Sequence, residues 1–165
     1  MLVLHQHPRG VETQPGNHIV YDVERDEAHF GAARVDGNAL VWELTGDPGP
    51  GEWLLRCDRV DFPPGGVAYR HTHPGPGVRV LLRGRIRIDT QGGSREYGPL
   101  DSWYETGPDP VFATASETEE TGFVRVMLLP AEWAGKRTIR YLDPADEEKP
   151  KLQRATILLE HPIKR

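Results

Sequence analysis

Gly65-Gly66-Val67-Ala68-Tyr69-Arg70-His71-Thr72-His73-Pro74-Gly75-Pro76-Gly77-Val78-Arg79-Val80-Leu81-Leu82-Arg83-Gly84 is the stretch whose reading decides the fold. Side chains on an extended segment alternate with a period of two, so His71 and His73 leave a strand from the same face. Two imidazoles placed in this way suit a metal ion. Pro74, Gly75, Pro76 and Gly77 then force a tight loop, because proline fixes φ and glycine tolerates positive φ. Residues 78–82 begin a new strand. The stretch therefore reads strand, turn, strand, with ligand-type side chains at the end of the first strand.

Outside this stretch the composition points the same way. The chain has 165 residues, enough for one domain with a real core. Its 18 glycines and 15 prolines favour many short strands and tight turns over helices, so the expected class is all-β. A formal charge of −5 argues against nucleic acid or an anionic membrane as partner, since both call for a basic face, and leaves small molecules. Cys57 is the only cysteine, which rules out an intrachain disulfide and agrees with a reducing, cytoplasmic setting. On its strand-like run it reads as a small core residue. The apolar run at the N-terminus is too short for a signal peptide, and no run approaches the length that spans a bilayer.

The stretch resembles the first motif of the cupin superfamily: glycine, five residues, His-x-His, three or four residues, glutamate, six residues, glycine. Gly65, His71, His73 and Gly84 match it, and Gly77 stands where that family places its glutamate. The second cupin motif falls on residues 98–111. It is matched by Gly98, the aromatic pair Trp103-Tyr104 and the Gly/Pro turn that follows, with Pro110 or Val111 in place of the last histidine ligand. The resemblance implies a single jelly-roll barrel (a double-stranded β-helix) over residues 1–165, with residues 1–16 an N-terminal arm and residues 131–165 an extension packed on the barrel. It also implies a divalent transition metal, Fe, Mn, Zn or Ni, held by His71 and His73, with Glu105 on the returning strand replacing the missing carboxylate.

The same register points Gly77 into the barrel, and a period of two carries Arg79 to the same side. A buried arginine must find an anion, so Arg79 is expected either to pair with Glu105 or to bind the carboxylate of a ligand. Tyr69 alternates with His71 and His73, so it and Trp103 are the expected aromatic walls of the cavity. Two readings of function follow. One is a metal-dependent enzyme acting on a small carboxylate or sugar-like molecule through His71 and His73. The other is a non-catalytic barrel that holds a small organic acid without metal.

Several other segments carry expectations. Residues 53–62 read as a longer strand whose later part alternates apolar and charged residues, leaving one face wet. His5 and His7 repeat the His-x-His spacing, but close to a terminus. The apolar segments Leu2-Val3-Leu4 and Thr156-Ile157-Leu158-Leu159 carry few charges to guard an open strand edge, and many cupins dimerise, so a homodimer built through these segments is expected.

Overall fold

A computed structural model describes residues 1–163. Among these, six strands precede the barrel: β1 (Leu2–His7), β2 (Val11–Glu12), β3 (His18–Asp22), β4 (Glu27–Phe30), β5 (Arg34–Val35) and β6 (Ala39–Leu44). Eight build it: β7 (Trp53–Phe62), β8 (Val67–Thr72), β9 (Gly77–Arg83), β10 (Ile86–Thr90), β11 (Gly93–Tyr97), β12 (Ser102–Glu105), β13 (Val111–Ala115) and β14 (Thr121–Pro130). After two short 3₁₀ turns interleaved with β15 (Arg140–Tyr141), the chain ends on β16 (Arg154–Ile163).

From β7 to β10 the chain alternates between two sheets, turns back at the β10–β11 hairpin and retraces its path. β7 thus pairs with β14, β8 with β13, β9 with β12 and β10 with β11, all antiparallel. This is the double-stranded β-helix, or jelly roll. The resulting sheets run β12-β9-β14-β7-β16 and β11-β10-β13-β8-β15. Gly84 makes the turn between β9 and β10 at φ 75°, where a Cβ would run into Glu120 and Thr121, so no other residue fits without strain.

A third sheet, β1-β6-β3-β4, covers the outer face of the first barrel sheet. Ile19, Leu40 and Trp42 from the third sheet pack on Leu55, Cys57, Val80, Val124 and Val126, all without solvent exposure. Trp42 also donates its indole N–H to Val78 O at 3.2 Å. Burying each large side chain here contributes on the order of 1.5–3 kcal/mol, which makes this layer part of the core. It also shapes β7. Leu55 and Cys57 lie under the covering sheet, Arg56 and Asp58 on the opposite face are buried inside the barrel, and the later part of the strand keeps a partly exposed charged face at Arg59 and Asp61.

The two terminal segments expected to form a dimer are each paired within the chain, though not with each other. β1 lies along β6 and β16 lies along β7. Each is the last strand of its sheet and keeps one open edge.

Candidate functional site

His71 and His73 both turn into the barrel and line a cavity of about 460 Å³. Each is 5% exposed. They reach the interior because β8 carries a bulge. Opposite the single residue between Val111 and Ala113 on β13, β8 places two, Tyr69 and Arg70, between Ala68 and His71. A bulge of this kind shifts the alternation by one, so Ala68 and His71 face inward together. Tyr69 is thereby turned away from the cavity and packs on Phe112, with the Lys149 ammonium 4.5 Å from its ring centre. The expected role of Tyr69 as a cavity wall is corrected by this one inserted residue.

The two rings lie edge to face, with centroids 4.9 Å apart. His71 Nδ1 is hydrogen-bonded to Tyr69 O at 2.7 Å and His73 Nδ1 to Thr138 O at 3.3 Å. A carbonyl can only accept, so in each ring the proton sits on Nδ1 and Nε2 keeps its lone pair. Burial pushes His71 down to about 4, outweighing its hydrogen bond to Tyr69 and the nearby Glu105. Burial also holds His73 well below its ordinary value, with Arg125 and Arg79 acting in the same direction. Both imidazoles are neutral at pH 7.

Facing them, the inner side of the other sheet carries a row of charge. The strand registers set Asp58, Arg125, Arg79 and Trp103 side by side across β7, β14, β9 and β12. Arg125 holds Asp58 through two bonds, Nε to Oδ1 at 2.5 Å and Nη2 to Oδ2 at 3.1 Å. Arg79 is 1% exposed and bends back over Gly77, donating from Nη1 to Gly77 O at 2.8 Å. A Cβ at Gly77 would lie 2.9 Å from that Nη1 and 2.8 Å from Val126 O. The place of the family's glutamate is therefore taken by the arginine, and only glycine leaves room for it.

Glu105 stands next to Gly77 in the register. Its Oε1 accepts from Trp103 Nε1 at 2.9 Å, and its Oε2 lies 2.8 Å from Arg79 Nη2. That separation makes an ion pair, but the angles miss a hydrogen bond: Arg79 Nε, Arg79 Nη2 and Glu105 Oε2 are buried with no hydrogen-bond partner. Burial pushes the guanidinium down to about 10, opposed by Glu105 and reinforced by Arg125, so it is charged at neutral pH. Beyond this row one wall of the cavity is apolar, formed by Val60, Phe62, Ile88, Trp103 and Phe123, while Arg56, Lys136, Arg137, Gln153 and Arg154 line another part of it.

Residues 135–139 close one side of the cavity, a contribution the sequence did not signal. Arg56 pins this segment down. Its Nε donates to Glu160 Oε1 at 2.6 Å, its Nη1 to Lys136 O at 2.7 Å and its Nη2 to Trp133 O at 2.5 Å. Glu160 in turn accepts from Gly135 N at 3.1 and 3.0 Å.

The chain matches no family model and no curated protein. Among solved structures it is similar to a protein of unknown function from Rhizobium leguminosarum bv. viciae 3841, at 24% identity and TM-score 0.43, over 52% of this chain and 75% of that one. It is also similar to the polyketide cyclase RemF from Streptomyces resistomycificus, at 18% identity and TM-score 0.44, over 58% of this chain and 63% of the cyclase. A third similar structure is an RmlC-like cupin from Shewanella frigidimarina, at 17% identity and TM-score 0.42, over 52% of this chain and 83% of that one. These matches cover little more than half of the chain, and the fold assignment rests on its own strand order. By that order the barrel is a cupin-type jelly roll.

In this cupin-type barrel the donor set fits a metal at two positions and fails at the third. The Nε2 atoms of His71 and His73 are oriented as ligands are, with Nδ1 fixed by a carbonyl. Glu105 Oε2, the expected third donor, lies 3.8 Å from His73 Nε2, but it also lies 2.8 Å from a guanidinium that a divalent cation would repel. No three His, Cys, Asp or Glu side chains among the described residues are grouped to hold a metal. Among these residues no helix is long and apolar enough to cross a membrane.

Proposed function

We propose that the barrel binds a small organic acid, its carboxylate on Arg79 and its apolar body against Phe62, Ile88, Trp103 and Phe123. The observation that carries this reading is the pair of unsatisfied donors Arg79 Nε and Nη2, buried in the cavity wall. Two parallel N–H groups on one side of a guanidinium match the two oxygens of a carboxylate. Leaving Nε without a partner costs on the order of 1–3 kcal/mol, and Nη2 has only its ion pair with Glu105, so a bound carboxylate supplies the hydrogen bonds that the guanidinium lacks. A volume of about 460 Å³ is in the range of ligand sites. The apolar walls favour a carboxylate with a hydrocarbon body over a sugar-like molecule.

Titration calorimetry with 3-phenylpropanoate tests the reading. The acid should bind, its neutral amide should bind at least tenfold more weakly, and Arg79→Lys, which keeps the charge but loses the fork, should weaken the acid about tenfold or more. Equal affinities for acid and amide, or an unaffected lysine variant, would reject it.

A metal-dependent enzyme working through His71 and His73 is the second reading, favoured by the two free Nε2 atoms. Its test is metal analysis of protein purified without a histidine tag. Stoichiometric Fe, Mn, Zn or Ni that is lost in the double variant His71→Ala, His73→Ala would establish it in place of the first.

A further inference from the structure

Resting on this acid-binding reading, we infer that the ligand is a 2-hydroxy acid, whose hydroxyl donates its single proton to Glu105 or His73 while its carboxylate sits on Arg79. A count of donors and acceptors leads to this class. Arg79 offers two free donors, Nε and Nη2. Against them the same cavity presents three acceptors without a hydrogen bond: Glu105 Oε2, His73 Nε2 and His71 Nε2. A simple carboxylate satisfies the donors and leaves every acceptor empty, because it has no proton to give.

The spacing sharpens the count. Glu105 Oε2 and His73 Nε2 face each other 3.8 Å apart, too far for a hydrogen bond and with a lone pair on each side. A donor placed between them is what the pair lacks. Glu105 Oε2 is also 2.8 Å from Arg79 Nη2, so the group that donates to the glutamate must be a neighbour of the carboxylate that the arginine binds. On an acid that position is carbon 2. An ammonium there would also donate, but it would lie beside the Arg79 guanidinium, which is already 2.8 Å from the same glutamate oxygen, and the two cations would repel. A hydroxyl donates without adding charge. The apolar walls set the remainder of the molecule as a hydrocarbon or aromatic body.

Calorimetry on protein stripped of metal with EDTA, using 3-phenylpropanoate, both enantiomers of 3-phenyllactate, and phenylalanine, tests the inference. One enantiomer of phenyllactate should bind about tenfold or more tighter than phenylpropanoate, the ratio expected for a hydrogen bond to a charged acceptor, and phenylalanine should bind more weakly than either. If phenylpropanoate binds and phenyllactate is no tighter, the hydroxy-acid inference falls and acid binding stands. If neither acid binds, acid binding itself has failed. Phenylalanine equal to phenyllactate, or a hydroxyl preference seen only before EDTA treatment, would also overturn the inference, the second by assigning the hydroxyl to a metal.

Discussion

Replacing Gly77 with alanine tests the packing on which the site depends, because two arguments give effects of opposite sign. Gly77 is not among the glycines with positive φ, so its backbone is open to an L side chain. In open space Gly→Ala at such a position stabilises by about 0.4–1 kcal/mol through the unfolded chain. Here the new Cβ would meet Met127 Cγ and Val126 O at 2.8 Å and Arg79 Nη1 at 2.9 Å. Met127 and Arg79 can shift. Val126 O cannot, since Val126 pairs with Val78 in the ladder between β9 and β14. Overpacking of this kind costs about 1–3 kcal/mol, and for a domain of this size each kcal/mol lowers Tm by about 2–4 °C. Calorimetric melting should therefore show Gly77→Ala lower than wild type by roughly 2–12 °C, with weakened binding of 3-phenylpropanoate because Arg79 is displaced. A variant that melts higher than wild type would refute the close approach and, with it, the placement of Arg79.

The remaining predictions concern the closing segment, pH and assembly. Arg56→Met should free residues 133–136 from the barrel, so limited proteolysis should cut there in the variant while β7 and β14 stay protected; equal resistance in both proteins would contradict the pinning role of Arg56. Because His71 is pushed down to about 4 in the fold from an ordinary 6.5, the unfolded chain binds a proton that the native state refuses. The stability at stake, about 3 kcal/mol, is fully present above pH 6.5 and is lost as pH falls toward 4, with His73 adding to it in the same direction. Urea unfolding at pH 7 and pH 4.5 should show a smaller loss for His71→Gln than for wild type, and equal losses would reject this assignment. The open edges of β1 and β16 lead us to expect a homodimer, and a light-scattering mass near 18.5 kDa at micromolar concentration would count against it.

What the sequence made legible and what it hid can be traced to particular residues. His71, His73 and Gly84 marked a strand, a turn and the glycine that must close it, and the density of glycine and proline pointed to an all-β chain. Pairing with Glu105 was one of the two expectations for Arg79, taken from the register of the resemblance, and the structure sets the two groups 2.8 Å apart. Tyr69 was misplaced because strict alternation contains no signal for an inserted residue, and the bulge that reverses its direction depends on pairing with β13. The burial of Arg56 and Asp58 inside the barrel was hidden for a related reason. Alternation says that two faces of a strand differ, but the identity of the buried one depends on what covers it, here a sheet formed from β1, β3, β4 and β6. Nothing in residues 135–139 marked them as cavity residues, and contacts distant in sequence, from Arg56, Glu160 and His73, hold them there.

A crystal structure of metal-free protein soaked with 3-phenylpropanoate tests the central claim most directly. The account predicts the carboxylate oxygens within hydrogen-bond distance of Arg79 Nε and Nη2, and the phenyl ring among Phe62, Ile88, Trp103 and Phe123. A carboxylate found away from Arg79, or an acid lying outside the barrel with Nε and Nη2 still unpaired, would contradict it.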